Sequence, residues 1–341
     1  MSSIAIELND AEIRLVRDGR AVAVEPGCAA FTTAGLLVGE EAVRVARLRP
    51  ERVNDRFWAD LSQVPLRDPR GGATSAADVA FAQLASLWSR HGSGAEQVVF
   101  VVPGSFKREQ LGLLLGIAEA CSIPVAGLVA SAVVSSSGPY PGHQLAHLDI
   151  GLHSVVLTTL TQDGGCSVDA VDVLVATGLS ALRDRWLAAI GDAFLHQARF
   201  DPLHDASADQ ALFDSLPACL ERLRVRDSTR LEIEIRGQRY EAEVKRAALS
   251  AAAGATYAPI VDLVRRARQC SLPLALQVSH RLVDLPGLTD VLSSEPRAKV
   301  LPIEPSAGCR AALQRLDDIR RPEDSLSLVR RLGWRSVADG A

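Results

Sequence analysis

Three residues of types that can bind metals or transfer protons lie around one predicted strand end, namely His147, Asp149 and His153. Because alternate residues of a strand share a face, His147 and Asp149 lie on the same side and could seed a metal site. A zinc or other transition-metal site needs a fuller set of ligands, and no complete set is visible around this strand. The pattern therefore favours a structural or solvated role for these three residues, with a metal site as the alternative.

Other reactive residue types lack the spacing that catalysis requires. Ser105 and the serines at 135–137 are not part of the Gly-x-Ser-x-Gly turn that exposes the nucleophile of a hydrolase. The six cysteines include no Cys-x-x-Cys pair, which argues against a zinc module or a disulfide framework. Buried, reduced thiols are expected instead.

The composition is that of a globular protein with a sizeable core. Hydrophobic residues make up 48% of the 341 residues and charged residues 23%, which excludes a disordered chain, a collagen and a coiled-coil rod. The net charge of −4 provides no overall attraction to nucleic acid or anionic membranes. The N-terminal segment lacks the regions of a signal peptide. The apolar stretch at 123–134 is shorter than the roughly 20 residues of a membrane span. A cytoplasmic protein of bacterial type, without a membrane span, is expected.

Two β-rich stretches of the chain share one layout. Their predicted strands are 4–8, 13–16 and 21–24 in the first stretch and 145–150, 154–161 and 168–175 in the second. In each stretch the first strand ends in an acidic residue, Glu7 or Asp149, before a short polar turn. An Asp-Gly pair, the strongest short-range hairpin signal, follows in both. The repetition predicts an internal duplication.

Alternating helices and strands follow each β-rich stretch and predict an α/β fold. A strand–helix–strand unit over 98–129 indicates a parallel strand pair. Lobe I is expected over 1–144 with an insert at about 35–90, and lobe II over 145–320 with an insert at about 200–250. A helix and a hairpin form the second insert. Residues 321–341 are basic and apolar, which predicts a C-terminal tail or helix that packs on the last lobe or docks a partner.

Several segments, in their order along the chain, resemble the nucleotide-binding domain of the 70-kDa heat-shock (DnaK-type) chaperone family. V-V-F-V-V-P-G-S-F-K-R-E-Q at 98–110 is similar to that family's strand, V-P-x-x-F turn and helix, and G-I-A-E-A-C-S-I-P-V at 116–125 resembles its A-G-x-x-A-G-L-x-V. L-V-G-E-E-A at 37–42, followed by R-P-E at 49–51, resembles the first insert. L-P-G-L at 285–288 resembles the segment after the adenosine motif.

The resemblance covers residues 1–320 and implies the actin-like ATPase (duplicated ribonuclease-H-like) fold, with two lobes that each carry a small inserted subdomain. It leaves no room for the family's peptide-binding domain. The family binds Mg-ATP with glycine turns, whose backbone amides approach the phosphates, and with acidic groups that hold the hydrated magnesium.

The residues at these positions are largely replaced. The family's D-x-G-T-T reads Glu7-Leu-Asn-Asp-Ala11, so that the glycine is missing and Asp10 would place a carboxylate beside phosphate. The family's D-x-G-G-G-T reads Asp149-Ile-Gly-Leu-His-Ser154. Asp149, Gly151 and Ser154 are therefore the candidate cofactor-binding residues, as the remnant of a phosphate turn.

Three further nucleotide elements have also changed. The adenosine motif G-G-x-S-R-x-P reads Val278-Ser-His-Arg281 and has lost both glycines, and the segment 129–132 lacks the family's catalytic glutamate. The family's lysine is expected near 55–57, where the sequence has Arg56. A guanidinium is not interchangeable with an ammonium group, so no catalytic residue is predicted.

The sequence thus predicts a degenerate chaperone-like or actin-like pseudo-ATPase that acts as a protein-binding scaffold or accessory factor. No cofactor and no metal are expected, and the partner would be another protein rather than nucleic acid. The alternative is a divergent Mg-ATP-dependent ATPase that binds ATP or ADP with Asp149, Gly151 and Arg56 in altered geometry. A sugar- or acetate-kinase-like enzyme ranks lowest, because no second-substrate site is recognisable.

Overall fold

A computed structural model describes residues 2–70, 72–136, 138–269, 271–320 and 327–334. The strands are β1 (Ser3–Glu7), β2 (Ile13–Arg17), β3 (Arg20–Glu25), β4 (Ala29–Thr32), β5 (Gly35–Val38), β6 (Val53–Asn54), β7 (Pro65–Arg70), β8 (Ala73–Ser75), β9 (Gln97–Val102), β10 (Val125–Ala130), β11 (Gln144–Ile150), β12 (Ser154–Thr161), β13 (Gly165–Val175), β14 (Ser228–Ile235), β15 (Gln238–Lys245), β16 (Leu274–Val278), β17 (Ala298–Pro302), β18 (Leu328–Val329) and β19 (Arg331–Gly333).

The helices are α1 (Glu40–Val43), α2 (Ala76–His91), α3 (Arg108–Ala120), α4 (Ser131–Val134), α5 (Leu179–Ala198), α6 (Ala206–Leu223), α7 (Arg246–Ala267), α8 (His280–Val283), α9 (Leu288–Ser293), α10 (Ala307–Gln314) and α11 (Leu316–Ile319). The fold is therefore mixed α/β, as the sequence predicts. Both predicted β-rich stretches are confirmed as strands, and so is the strand–helix–strand unit β9–α3–β10.

Two six-stranded sheets repeat one arrangement. Their orders are β18-β10-β9-β1-β2-β3 and β17-β16-β11-β12-β13-β19. Each contains an antiparallel meander, β1–β3 or β11–β13. The first strand of each meander pairs in parallel with the first strand of the following α/β segment, β9 or β16. This places the acidic ends of β1 and β11 at equivalent positions in the two sheets.

Apolar strands and amphipathic helices form the core of each lobe. β9 is buried almost throughout because α2 and α3 cover one face of its sheet, where Leu84, Leu114 and Phe100 pack together. In lobe II the equivalent layer is formed by α5 and α7, with Trp186 and Leu276 fully buried. A third apolar cluster joins the facing surfaces of the two sheets through α4, α10 and α11.

Each lobe carries extra elements. In lobe I they are β4–β8 with α1, and in lobe II the helix α6 packs on the β14–β15 hairpin. A hairpin around Gly237 in the second insert is confirmed. α7 begins at Arg246 with an alanine-rich sequence that favours helix without a clear apolar period. By length and composition alone α7 could also cross a membrane, a test that buried helices of soluble proteins pass as well.

The described part of the C-terminal tail forms strands, so the helix given as one alternative for it is wrong there. β18 pairs in parallel with β10 of the first sheet. β19 pairs antiparallel with β13 of the second sheet. Leu332 is buried in the cluster between the sheets, so this short segment adds to both lobes. Residues 321–326 and 335–341 lie outside the described part.

Candidate functional site

The turns that follow β1 and β11 contact each other directly in the cleft between the lobes. Asn9 in the first turn donates from Nδ2 to Asp149 Oδ2 and to the carbonyl oxygen of Ile150, both at 3.0 Å. Its Oδ1 accepts the amide of Ala11 at 2.9 Å, which fixes the first turn. Asn9 is buried, so the two turns form one hydrogen-bonded unit.

Asp10, in the turn after β1, contacts the turn that follows β11. Its Oδ1 accepts the amide of Leu152 at 2.8 Å. A Cβ atom on Gly151 would lie only 2.1 Å from that oxygen, so this glycine makes room for the aspartate. Burial raises the pKa of Asp10, and the Leu152 amide and His153 offset this only in part. The Asp10 carboxylate therefore already accepts a hydrogen bond from one backbone amide of this turn.

Arg281 bridges the acidic ends of the two equivalent strands. Its Nη2 lies 2.8 Å from Glu7 Oε1 and 3.0 Å from Asp149 Oδ2, and its Nε lies 3.1 Å from Asp149 Oδ1. The exposed fractions of the three side chains are 5% for Arg281, 11% for Glu7 and 9% for Asp149. Burial opposes the charged form of Asp149, yet the guanidinium outweighs it and lowers the pKa of this carboxyl. A buried ion pair thus joins the lobes.

A second contact between the lobes lies beside this bridge. His280 Nε2 of lobe II is 3.2 Å from Glu12 Oε1 of lobe I, and Arg14 also binds Glu12. Burial would raise the pKa of Glu12, but the hydrogen bond from His280 and the charge of Arg281 lower it to about 2. Glu12 therefore stays ionised at neutral pH.

The three residues considered for a metal site do not converge. His147 is buried next to Asp149, and burial lowers its pKa, so the imidazole is neutral. His153 points elsewhere, with Nε2 at 3.1 Å from Asp55 Oδ1. Within the described residues no group of three or more His, Cys, Asp or Glu side chains could hold a metal ion. The cationic Arg281 is the group that contacts Asp149 instead.

An open cavity of about 330 Å³ remains beside the two turns. Asp149, Gly151 and Ser154, the predicted site residues, all line it, as does Arg56. Arg56 is held by Asp60, with 2.9 Å between Nε and Oδ2. Lys107 also lines the cavity, and sequence reasoning missed it because it lies about 50 residues from Arg56 along the chain.

Sequence reasoning also missed the bridging role of Arg281. The residue was identified only as part of a degraded adenosine motif, and its two partners lie 274 and 132 residues away. The acidic residues at both strand ends could have indicated a bridging cation, because two carboxylates that meet in a buried cleft require one.

Replacement of Arg281 tests the bridge. Arg281→Met should lower the free energy of unfolding by about 3–5 kcal/mol, because two buried carboxylates lose their counter-charge. Urea unfolding at pH 7 measures the loss. In the control Arg310→Met the exposed pair with Glu304 is removed, and the change should stay below about 1 kcal/mol. Equal effects of the two variants would contradict a buried bridge.

Replacement of Asp10 tests its unfavourable charge. The folded-state pKa of Asp10 is raised above its unfolded value, so ionisation opposes folding at neutral pH and ceases to do so below the unfolded pKa. Asp10→Asn keeps an oxygen for the Leu152 amide. It should be more stable than the wild type at pH 7, and the gain should vanish below about pH 4. Thermal unfolding across pH measures this. Asp192→Asn, at an exposed site on α5, should show no such gain.

Comparison with known proteins adds no assignment. No protein-family model and no curated protein match this chain.

Proposed function

We propose that the chain has the actin-like ATPase (duplicated ribonuclease-H-like) fold and acts as a protein-binding scaffold or accessory factor, not as an ATPase. Two observations support the fold, namely the repeated strand order of the two sheets and the insert carried by each lobe. One observation carries the functional proposal. In the cleft, the chain's own side chains already bind the backbone amide and the carboxylates that would otherwise be available to a Mg-nucleotide.

Charge and hydrogen bonding in the cleft both oppose a nucleotide. The Leu152 amide already donates to Asp10, whose carboxylate would repel an incoming phosphate. Glu7 and Asp149 stand where the resemblance implies magnesium-holding acids, and both are already paired with Arg281. A hydrated magnesium ion would have to displace a buried guanidinium, and breaking a pair of this kind costs several kcal/mol.

The outer edge of β13 supports a protein partner. β19 pairs only with residues 165–167 of this strand, and no strand pairs beyond them on that side among the described residues. Val173 and Val175, on the open half, are 45% and 72% exposed. An exposed apolar edge strand is a template for a strand of another protein. β13 therefore supplies the candidate docking edge.

The cavity beside the turns favours a second candidate function, the divergent Mg-ATP-dependent ATPase. Arg56 and Lys107 bring positive charge to this cavity, and Ser154 contributes a hydroxyl. In this alternative the triphosphate would lie along the cavity rather than in the turn occupied by Asp10. The two functions differ in whether nucleotide binds at all.

Titration with nucleotide separates the two functions. Wild-type protein titrated calorimetrically with Mg-ATP or Mg-ADP should give no saturable heat up to about millimolar ligand. Any binding free energy would then be weaker than about −4 kcal/mol. An ATP-binding chaperone of the 70-kDa heat-shock family, titrated in the same buffer, is the positive control. Micromolar binding that disappears in Asp149→Ala would overturn the pseudo-ATPase and support the alternative.

Charged substitutions test the docking edge. Proteins that co-purify with the wild type from its native host should be lost from the Val173→Lys/Val175→Lys variant, because ammonium groups on an edge strand block strand addition. They should remain bound to Val225→Lys, which changes a valine that is 85% exposed outside this edge. Recovery of the same proteins with all three chains would exclude β13 as the docking site.

A further inference from the structure

A second cavity lies between the insert of lobe I and helices α5 and α6 of lobe II, and we name it the interlobe pocket. It has a volume of about 350 Å³ and is lined by Arg47, Asp55, Arg183, Asp184 and Phe213, among others. It shares only His153 with the cavity beside the cleft turns. The interlobe pocket is thus a separate site, formed where the two lobes meet.

Arg183 is the unusual group of this pocket. It lies on the first turns of α5, is half-buried, and makes no hydrogen bond or ion pair within the described part of the chain. Burial lowers its pKa, and the nearby Cys28 and Asp55 offset this only in part. A guanidinium that lines a cavity without a hydrogen-bond partner among the described residues is open to a bound anion, which would accept its hydrogen bonds.

The acidic groups of the pocket are already engaged by other partners. Asp55 is bound by His153, and Ser180 donates to it from Oγ at 3.3 Å. Asp184 forms an ion pair with Arg47. Both carboxylates thus have closer partners than Arg183, which lines the cavity without a hydrogen bond or ion pair to any described residue.

Arg47 offers a second guanidinium to the same cavity. Its Cζ lies 5.0 Å from the centre of the Phe213 ring, so the aromatic face holds the group in place. Planar guanidinium groups bind carboxylate and phosphate oxygens in pairs, with a geometry that lysine cannot reproduce. The cavity volume is also within the range of sites for small organic ligands.

We propose that the interlobe pocket binds a small organic anion through a phosphate or carboxylate group held by Arg183 and Arg47. The ligand contacts both lobes at once, because Arg47 belongs to lobe I and Arg183 to lobe II. The proposal is independent of whether the cleft binds nucleotide, since the residues that hold the anion take no part in the Arg281 bridge.

Thermal unfolding with added anions tests the proposal. Inorganic phosphate and citrate, each titrated in Hepes buffer, represent the two chemical groups, and sodium chloride at matched ionic strength is the reference. The melting temperature of the wild type should rise saturably with at least one of the two anions and not with chloride. The anion that gives the rise identifies the group. A rise no larger than that with chloride overturns the proposal.

Two arginines on the same helix provide a matched pair of variants. Arg183→Met keeps the apolar stem and removes the charge, so the apparent affinity for the anion should fall at least tenfold. Arg185→Met, at an exposed position on the same helix, should bind as the wild type does. Without anion, Arg183→Met should melt close to the wild type, because no hydrogen bond or ion pair to a described residue is lost.

A further variant, on the opposite wall of the pocket, separates a loss of anion binding from an effect on folding. Arg47→Met removes the second guanidinium from the opposite wall and should also weaken anion binding. Unchanged affinity in both Arg183→Met and Arg47→Met would overturn the proposal, even if the wild type binds the anion. An equal loss of anion affinity in Arg185→Met and Arg183→Met would overturn the proposal too. The loss would then result from the lower charge of the helix and not from a change in the pocket.

Discussion

The ion pairs of Arg281 with Glu7 and Asp149 are the interaction on which the arrangement of the two lobes depends. The duplicated meanders place an acidic strand end in each lobe, and the lobes bring both ends into one buried cleft. Two carboxylates in such a place repel each other and are poorly solvated. A single guanidinium, supplied by α8 after β16, compensates both. Asn9 then links the adjoining turns, so one connected set of polar contacts holds the two lobes together within the cleft.

The residues that resemble nucleotide-binding positions of the chaperone family have structural explanations. Gly151 is required because Asp10 Oδ1 lies where a Cβ atom would be, with no phosphate needed to account for it. Asp149 is held ionised by Arg281, and its Oδ1 also accepts the amide of Ile150 at 2.8 Å. A glycine or an acid that survives in such a turn is therefore not by itself a sign of nucleotide binding. What the neighbouring side chains contact decides the question.

Local patterns in the sequence predict most elements of the fold. β9 follows from a continuous apolar run, and the turn at Asp18-Gly19 follows from residues that adopt positive φ readily. β18 and β19 could not be predicted, because strands of two and three residues carry no periodic signal and exist only by pairing with distant sheets. For the same reason the site was found only in part. Asp149, Gly151 and Ser154 lie together, whereas the cation that neutralises Asp149 comes from a distant segment.

The lobes are joined at more than one place, which limits their relative motion. The Arg281 bridge links them within the cleft, and the tail adds β18 to one sheet and β19 to the other. The apolar cluster between the sheets includes Leu332, so opening at the tail would expose that core to water. Relative motion of the lobes would therefore strain both connections. Such a body suits a fixed surface for a partner better than a cycle of opening and closing, and this agrees with the scaffold function that we propose.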